Sequence, residues 1–162
     1  ADLLRSRGLA RYEVSNYAAP GEECRHNLAY WRQQNWLAAG PSASAHLAGH
    51  RWKNLPRLDD YLSMSSAGLS YATDHETPDP RRALGELLMT GIRLAEGVDG
   101  ETVLRTAGSF GEETLTRVKR VWERHAAQGN MTDDPSRMIL SDAGILIENR
   151  VTVDFLRALD PR

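Results

Sequence analysis

Two prolines in one short segment, Thr77-Pro78-Asp79-Pro80, place the strongest local constraint on how this chain folds. A proline fixes its own φ angle and disfavours helical geometry in the residue before it, so a helix cannot run through this segment from the amino-terminal side. The same residues suit the start of a helix, with Thr77 as N-cap and Pro78 in the first turn. We therefore predict two domains, one over residues 1–76 and one over residues 77–162.

The sequence of residues 77–162 predicts three helices in succession. Apolar residues at helical spacing indicate a helix over residues 78–96. Asp99 is the predicted N-cap of a short helix that ends at Gly108. A third helix is predicted over residues 112–128, where apolar residues share one face with His125; we expect that histidine to face solvent or to be hydrogen-bonded by its neighbours.

A hairpin and a last helix follow. The turn Asp133-Asp134-Pro135-Ser136 is flanked by short apolar segments, which predicts a hairpin. Ser141 then predicts the cap of a last helix with Leu146, Val153 and Leu156 on its apolar face. Three helices, a hairpin and a helix indicate a winged-helix-like arrangement, and the mixed charges of the third helix favour packing or protein interaction over DNA binding.

The sequence of the first half predicts short strands and one helix. Together with the helices of the second half, this indicates an α+β fold. Residues 11–17 alternate in polarity and include two tyrosines, which predicts a strand. The small and apolar residues over 36–47 predict a buried strand or a close-packed loop. Residues 49–53 predict a turn into a short strand, and a helix is predicted over 56–67. Three short strands and one helix bury little apolar surface, so we expect residues 1–76 to be the end of a larger domain.

Charge, hydropathy and cysteine content restrict the function. The net charge is −2, which argues against a nucleic-acid partner. No segment reaches the roughly 20 consecutive apolar residues of a membrane helix, and no signal peptide is evident, so we expect a cytoplasmic protein. Cys24 is the single cysteine of the sequence. A cluster held by three or four thiolates of this chain is therefore impossible.

Most side chains that could bind a ligand or take part in chemistry lie between Tyr12 and Asn54. They comprise Tyr12-Glu13-Val14-Ser15-Asn16-Tyr17, then Pro20-Gly21, then Cys24-Arg25-His26-Asn27-Leu28-Ala29-Tyr30-Trp31, then Gly40-Pro41-Ser42-Ala43-Ser44. Polar, aromatic and small residues mixed in this way line ligand pockets more often than they fill cores.

This order of motifs resembles the distal part of the HemN/HemW family of radical S-adenosylmethionine proteins. The stretch His26-Asn27-x-x-Tyr30-Trp31 is similar to the HNxxYW motif of the haem-chaperone branch. Later segments, Leu88-Met89-x-Gly91-Ile92-Arg93-Leu94 and Leu140-Ser141-x-x-Gly144, resemble the family's carboxy-terminal domain. The resemblance covers nearly the whole chain, and its motifs are specific as a series.

The resemblance implies a larger parent protein. The family's Cys-x3-Cys-x2-Cys motif binds the [4Fe–4S] cluster that reduces S-adenosylmethionine, and this motif is absent here. The chain then resembles the last strands of a partial TIM-type barrel followed by a helical domain. We expect the parent to use the cluster, S-adenosylmethionine and haem. This chain alone is expected to retain no cofactor, to hold no metal and to be catalytically inactive.

The resemblance also implies site residues and partners. In this family HemN proteins decarboxylate coproporphyrinogen III, and HemW proteins are regarded as haem chaperones; the HNxxYW motif favours the second. Haem would contact His26, Asn27, Tyr30 and Trp31, with His26 as the iron ligand. S-adenosylmethionine would contact Gly40, Pro41, Ser42, Ala43 and Ser44. The expected partners are haem or a porphyrin, haem-accepting apoproteins and the amino-terminal part of the barrel.

Other interpretations of these residues stay open. His26 and Asn27 could hydrogen-bond neighbouring loops while the aromatic rings pack. Cys24 is an alternative thiolate ligand, and Glu13 suits a ligand-facing or a structural role. The four-residue spacing of His46 and His50, with Cys24 and His26, would suit zinc, but Gly49 and the strand expected around Ala45 argue against a helix that presents both histidines. For the whole chain, the alternatives are a fragment of the coproporphyrinogen oxidase and a cofactor-free interaction module.

Overall fold

The computed structural model describes residues 1–67 and 72–160 of the chain. Eight helices occur in these residues: α1 Asp2–Arg5, α2 Arg25–Trp31, α3 Leu58–Ser66, α4 Pro80–Gly91, α5 Gly100–Gly108, α6 Glu112–Ala127, α7 Asp142–Ile145 and α8 Glu148–Leu159. The architecture is a mixed α/β one, in agreement with the α+β composition predicted from the sequence.

The strands are short and pair antiparallel throughout the described residues. They are β1 Ala10–Arg11, β2 Tyr17–Ala18, β3 Ser44–Leu47, β4 His50–Asn54, β5 Ala72–Glu76, β6 Val98–Asp99 and β7 Arg137–Met138. β1 pairs with β2, β6 pairs with β7, and β3, β4 and β5 form a three-stranded sheet in that order. A register irregularity lies between Arg51 and Lys53 on the central strand β4.

The chain forms two compact units. The first joins residues 1–32 to the residues from 81 onward, and the second consists of residues 33–80. We call them the helical unit and the sheet unit and describe each by itself. The predicted division into residues 1–76 and 77–162 stays a prediction.

The core of the helical unit is made by apolar faces of α4, α5, α6 and α8. On α4 the buried residues Leu84, Leu88 and Gly91 recur at three- and four-residue intervals, as expected for one helix face. The complete cluster of buried apolar residues consists of Leu84, Leu88, Ile92, Val98, Val103, Ala107, Val118, Met131, Met138, Leu140, Val151, Phe155, Ala158 and Leu159.

Two predictions about helix ends need correction. The helix predicted over residues 78–96 begins at Pro80, so Thr77 and Pro78 precede it and do not form its cap and first turn. It ends at Gly91, because the backbone turns there and the Leu94 amide bonds the Gly91 carbonyl at 3.1 Å. Ser141 does cap a helix, but that helix is the short α7, and α8 begins separately at Glu148.

Of the three residues predicted for the apolar face of the last helix, Leu156 is partly buried and packs next to Gly85, but the other two face outward. Leu146 is 86% exposed and Val153 is 42% exposed. The break between α7 and α8 changes the helical phase, so that Val151 and Phe155, four residues apart, face the core instead. By contrast, Asp99 caps α5 as predicted and accepts the Thr102 amide at 2.7 Å.

The predicted hairpin around residues 133–136 is present. The Thr132 amide bonds the Ile139 carbonyl at 2.9 Å, and Met131 pairs with Leu140 across the hairpin. Its second arm, β7, also pairs with β6, a partner that the sequence did not suggest.

Residues 11–17 form a hairpin instead of the single predicted strand. β1 and β2 pair through Arg11 and Tyr17, and the chain reverses between them. The buried Glu13 carboxylate accepts the Ser15 amide at 3.0 Å and so stabilises the reversal. Alternation of polarity could not reveal a turn that a buried carboxylate closes.

The sheet unit has the elements that the sequence indicated for it and one more, the strand β5, which was not predicted. The small-residue run leads into β3, the turn at Gly49 leads into β4, and the predicted helix over 56–67 is α3. Trp36 pairs with His46 alongside β3, and the buried residues on the two strands are Ala45, His46 and Asn54. Nowhere in residues 1–67 and 72–160 is a helix long and apolar enough to cross a membrane.

Gly144 lies against the backbone of the hairpin. The Ser141 amide bonds the Asn130 carbonyl at 3.0 Å, and the Ser141 hydroxyl oxygen accepts the Gly144 amide at 3.0 Å. A Cβ atom on Gly144 would overlap the carbonyl oxygen of Asn130. Glycine is therefore required where α7 meets the hairpin.

We predict that Gly144→Ala lowers the free energy of unfolding by about 1–3 kcal/mol, because the overlapping atom belongs to the backbone and cannot rotate away. Urea unfolding followed by circular dichroism measures the effect. The matched control is Gly108→Ala, whose Cβ would meet the Leu115 side chain at an ordinary 3.7 Å. Equal stability of the two variants would contradict the close-packing argument.

His125 on α6 is buried and hydrogen-bonded on both ring nitrogens. Nε2 lies 3.1 Å from Asp154 Oδ2, and Nδ1 lies 3.1 Å from Asn130 Nδ2. The side chain is 3% exposed. Burial lowers the pKa of His125 below its ordinary value, and the hydrogen bond to Asp154 opposes this only in part. Of the two predicted environments, satisfaction by neighbours is the correct one.

The depressed pKa of His125 predicts a pH-dependent stability. The unfolded chain binds a proton at this histidine more readily than the folded chain, so the contribution is complete above about pH 6.5 and is lost as the pH falls below it. Urea unfolding between pH 7.5 and pH 5.5 should show this decrease. His125→Gln should flatten it, and His26→Gln, an exposed control, should retain it.

Candidate functional site

The HNxxYW residues all lie on the short helix α2 of the helical unit. Cys24 precedes the helix in an extended conformation and is exposed, and its side chain makes no capping hydrogen bond. No residue of α2 is buried. A helix of seven residues has little stability of its own, so its contacts decide its conformation.

His26 and Tyr30 form one row on this helix because they are four residues apart. Their rings meet edge to face, with centroids 4.8 Å apart and planes at 88°. Tyr30 is 40% exposed and His26 is exposed as well. Among the described residues, neither ring nitrogen of His26 has a hydrogen-bond partner. This imidazole is therefore accessible to an iron ion, and an aromatic ring supports it.

Asn27 and Trp31 form a second row, and Trp31 is tied to the rest of the unit. The Arg93 guanidinium lies 5.5 Å from the centroid of the Trp31 ring. The indole Nε1 is buried and has no acceptor among the described residues. The next residue, Arg32, makes a two-pronged ion pair with Glu96 at 3.0 and 3.1 Å. The carboxy-terminal end of α2 is thus held by charged contacts.

Glu13 does not behave as a ligand-facing acid in this structure. Its side chain is 1% exposed, and its carboxylate accepts the amide of Ser15 within the β1–β2 turn. Its backbone pairs with that of Leu94. Of the two roles considered from the sequence, the observed contacts are those of the structural one.

The run Gly40 to Ser44 in the sheet unit leads into β3 as an irregular loop. Gly40 has a φ of 97° and Ser42 a φ of 61°, a region that residues with a side chain adopt only when their surroundings hold them there. The Ser42 amide bonds the Leu55 carbonyl at 3.2 Å, and the Gly40 amide bonds the Tyr61 hydroxyl at 3.1 Å.

Asn54, at the end of β4, holds this loop from inside the sheet unit. Its side-chain amide donates to the carbonyls of Ala38 at 3.2 Å and Gly40 at 2.8 Å, and its backbone amide bonds the Ala43 carbonyl at 2.9 Å. Asn54 is 1% exposed, and its Oδ1 has no donor among the described residues. Sequence reasoning missed Asn54, because no motif marks it.

The remaining histidines of the sheet unit have neighbours of their own. His46 is buried, and its Nδ1 lies 3.1 Å from the Gln34 carbonyl oxygen. His50 Nδ1 lies 3.2 Å from His75 Nε2, and the two rings are within 9° of parallel. The described part of the chain contains no group of three or more His, Cys, Asp or Glu residues that could hold a metal ion.

The sequence of this chain is similar to those of known haem chaperones. The chain is 28% identical to the haem chaperone HemW of Lactococcus lactis over 160 residues, which are 96% of this chain and 40% of that protein. It is 27% identical to HemW of Bacillus subtilis over 157 residues, again 96% of this chain and 40% of the relative. The chain therefore spans about two fifths of the curated relatives it matches. No family model matches the sequence.

Among solved structures, the fold matches the coproporphyrinogen III oxidase HemN of Escherichia coli, described as a radical SAM enzyme. The TM-score is 0.66 at 12% identity, over 95% of this chain and 38% of that one. In sequence and in fold, the chain is similar to proteins of the HemN/HemW family. The similarity is to the carboxy-terminal part of those proteins, and the two relatives described above are both named HemW.

We predict that Asn54→Ala loosens the loop that contains Gly40 to Ser44. Hydrogen exchange of the Gly40 and Ser42 amides should become about tenfold faster, because two buried hydrogen bonds that close the loop are lost. The matched control is Asn35→Ala, which removes an exposed bond to the Ala48 amide. Unchanged exchange in Asn54→Ala would show that Asn54 does not hold the loop.

Proposed function

We propose that this chain is the carboxy-terminal part of a haem chaperone of the HemW type and that α2 is its haem-binding element. The observation that carries the proposal is the exposed His26 ring on the HNxxYW helix, supported edge to face by Tyr30. The sequence relatives are named haem chaperones, which favours this branch of the family.

The chemistry of α2 fits haem. A neutral imidazole is a common axial ligand of haem iron, and the accessible ring nitrogens of His26 can supply one. Tyr30 offers an aromatic edge next to that ligand. Asn27 and Trp31 complete the motif on the second row of the helix. Cys24 is exposed just before the helix and stays an alternative ligand.

S-adenosylmethionine is proposed to contact Gly40, Pro41, Ser42, Ala43 and Ser44 in the whole protein. The open space beside Gly40 leaves room for a ligand, and Asn54 holds the carbonyls of Ala38 and Gly40 in place. When bound to a reduced [4Fe–4S] cluster, S-adenosylmethionine supplies radical chemistry. The residues of this chain would contribute binding alone, since a cluster-binding cysteine motif is absent from the sequence.

The finer architecture is also a proposal. We propose that residues 1–76 complete a partial TIM-type barrel in the parent protein, and that residues 77–162 are a winged-helix-like domain. The succession of α4, α5, α6 and the hairpin around residues 133–136 supports the second part. The partners proposed for the whole protein are haem-accepting apoproteins and the remainder of the barrel.

A fragment of a coproporphyrinogen oxidase is the second candidate. The likeness to HemN supports it, but at 12% identity that likeness concerns the fold. A cofactor-free interaction module is the remaining alternative, and a haem titration separates it from the chaperone.

We predict that titration of the chain with hemin produces a shifted Soret band from an imidazole-ligated iron. His26→Ala should weaken hemin binding at least about tenfold and remove the imidazole signature, because the axial ligand is lost. Absorption and electron paramagnetic resonance spectra report both changes. His75→Ala, which removes an exposed histidine of the sheet unit, is the matched control and should bind as the unmodified chain does.

The proposal is contradicted if hemin gives no Soret shift with the unmodified chain. It is also contradicted if His26→Ala binds hemin with unchanged affinity and spectrum. The first result favours the cofactor-free interaction module, whereas the second means that His26 is not the ligand and favours another one, with Cys24 as the alternative.

A further inference from the structure

A partly buried ion pair links α8 to the region that contacts the HNxxYW helix. Arg93 Nη2 lies 2.9 Å from Glu148 Oε1, with the Glu148 side chain 6% exposed and the Arg93 side chain 28% exposed. The hydroxyl of Thr152 donates to the same carboxylate oxygen at 3.3 Å. Glu148 is the first residue of α8, where its negative charge also interacts favourably with the helix dipole.

This ion pair fixes the direction of the Arg93 side chain. Removing one partner of a desolvated pair leaves the other charge uncompensated, so the two groups stay together. Asn149 Oδ1 accepts from the same guanidinium nitrogen at 3.3 Å and restricts it further. The planar guanidinium therefore has a defined position, which a flexible ammonium group would not have.

The fixed guanidinium lies over Trp31. Its separation of 5.5 Å from the ring centroid is within the range of a cation–π interaction. One face of the Trp31 ring is thereby covered by protein, and the indole Nε1 is buried as well. Trp31 therefore has little accessible ring surface left for contact with a porphyrin. His26 and Tyr30, by contrast, are exposed.

We infer that Arg93 is a positioning residue for haem binding: held by Glu148, it fixes Trp31 and so orients α2. This inference rests on the proposed haem function. The two rows of the motif then have different tasks. His26 and Tyr30 face the ligand, and Trp31 anchors a helix that has no buried residue of its own.

The experiment uses the 162-residue chain with Arg93→Met, Arg93→Lys and Glu148→Gln. Arg93→Met keeps the length of the side chain and removes its charge. The matched control is Arg124→Met, because Arg124 also pairs with an acid on α8, Asp154, at 2.7 Å. Two quantities are measured: the ¹H–¹⁵N resonances of the Trp31 indole and the amides of residues 25–31, and the dissociation constant for hemin. Trp31→Phe assigns the indole resonance.

A positioning role predicts that Arg93→Met and Glu148→Gln both shift the Trp31 and α2 resonances. Both should weaken hemin binding, about tenfold for Arg93→Met, while the Soret maximum of the bound form stays that of the imidazole complex. Arg93→Lys should be intermediate, because it keeps the charge and loses the planar fork. Arg124→Met should change neither quantity.

Glu148→Gln separates positioning from direct contact with a haem propionate. If Arg93 bound a propionate itself, releasing it from Glu148 would strengthen hemin binding, and that result would overturn the inference. Unmoved Trp31 and α2 resonances in Arg93→Met would overturn it too. If Arg93→Met fails to fold, Arg93→Lys and Glu148→Gln decide by the same criteria.

The failure of the proposed haem function has a different signature. In that case the unmodified chain binds no hemin, and the resonances alone decide the positioning role. Shifts of the Trp31 indole and the α2 amides in Arg93→Met would then show that Arg93 orients α2 without a role in haem binding, and their absence would overturn the positioning role itself.

Discussion

The helical unit depends on glycines at places where another part of the chain comes too close for a side chain. A Cβ on Gly91 would overlap the Val98 side chain, and one on Gly97 would overlap the Met138 carbonyl. A Cβ on Gly144 would overlap the Asn130 carbonyl in the same way. These contacts join the end of α4, the pair β6–β7 and the start of α7 into one packed body, which explains why substitution at such sites affects more than one element.

The segment that follows α4 is where the amino-terminal residues attach to this body. Leu94 pairs with Glu13, the Ala95 amide bonds the Tyr12 carbonyl at 3.0 Å, and Glu96 pairs with Arg32. The conformation of residues 93–98 is set by the close contacts at Gly91 and Gly97. The position of α2 therefore follows from packing elsewhere in the unit, and its few charged contacts transmit that position.

The two candidate sites are supported in a similar way. In each site, the residues that could bind a ligand lie on an exposed or irregular segment. Polar contacts with a residue outside that segment hold the segment in place. Asn54 does this for the loop at Gly40 through hydrogen bonds to carbonyl groups. For α2, the support is the Arg93–Glu148 pair, which is desolvated enough to keep a defined geometry.

The sequence by itself determined what depends on residues a few positions apart. The cap at Asp99, the hairpin at residues 133–136 and the helix over 112–128 follow from turn chemistry and helical spacing, and the structure confirms them. The order of motifs was sufficient to indicate the family. The HNxxYW residues could also be identified as a candidate site from the sequence. Their arrangement in two rows became evident only from the helix α2 in the structure.

Only the tertiary structure decided which side chains face the core or the solvent at the ends of helices and turns. It also decided which residues hold the two candidate sites in place. Leu146 and Val153 are apolar, yet the break before Glu148 turns them outward, and the reversal within residues 11–17 depends on the burial of Glu13. The roles of Asn54 and Arg93 depend on partners far away in the chain. Desolvation and close approach arise only when distant segments pack, so no local pattern in the sequence records them.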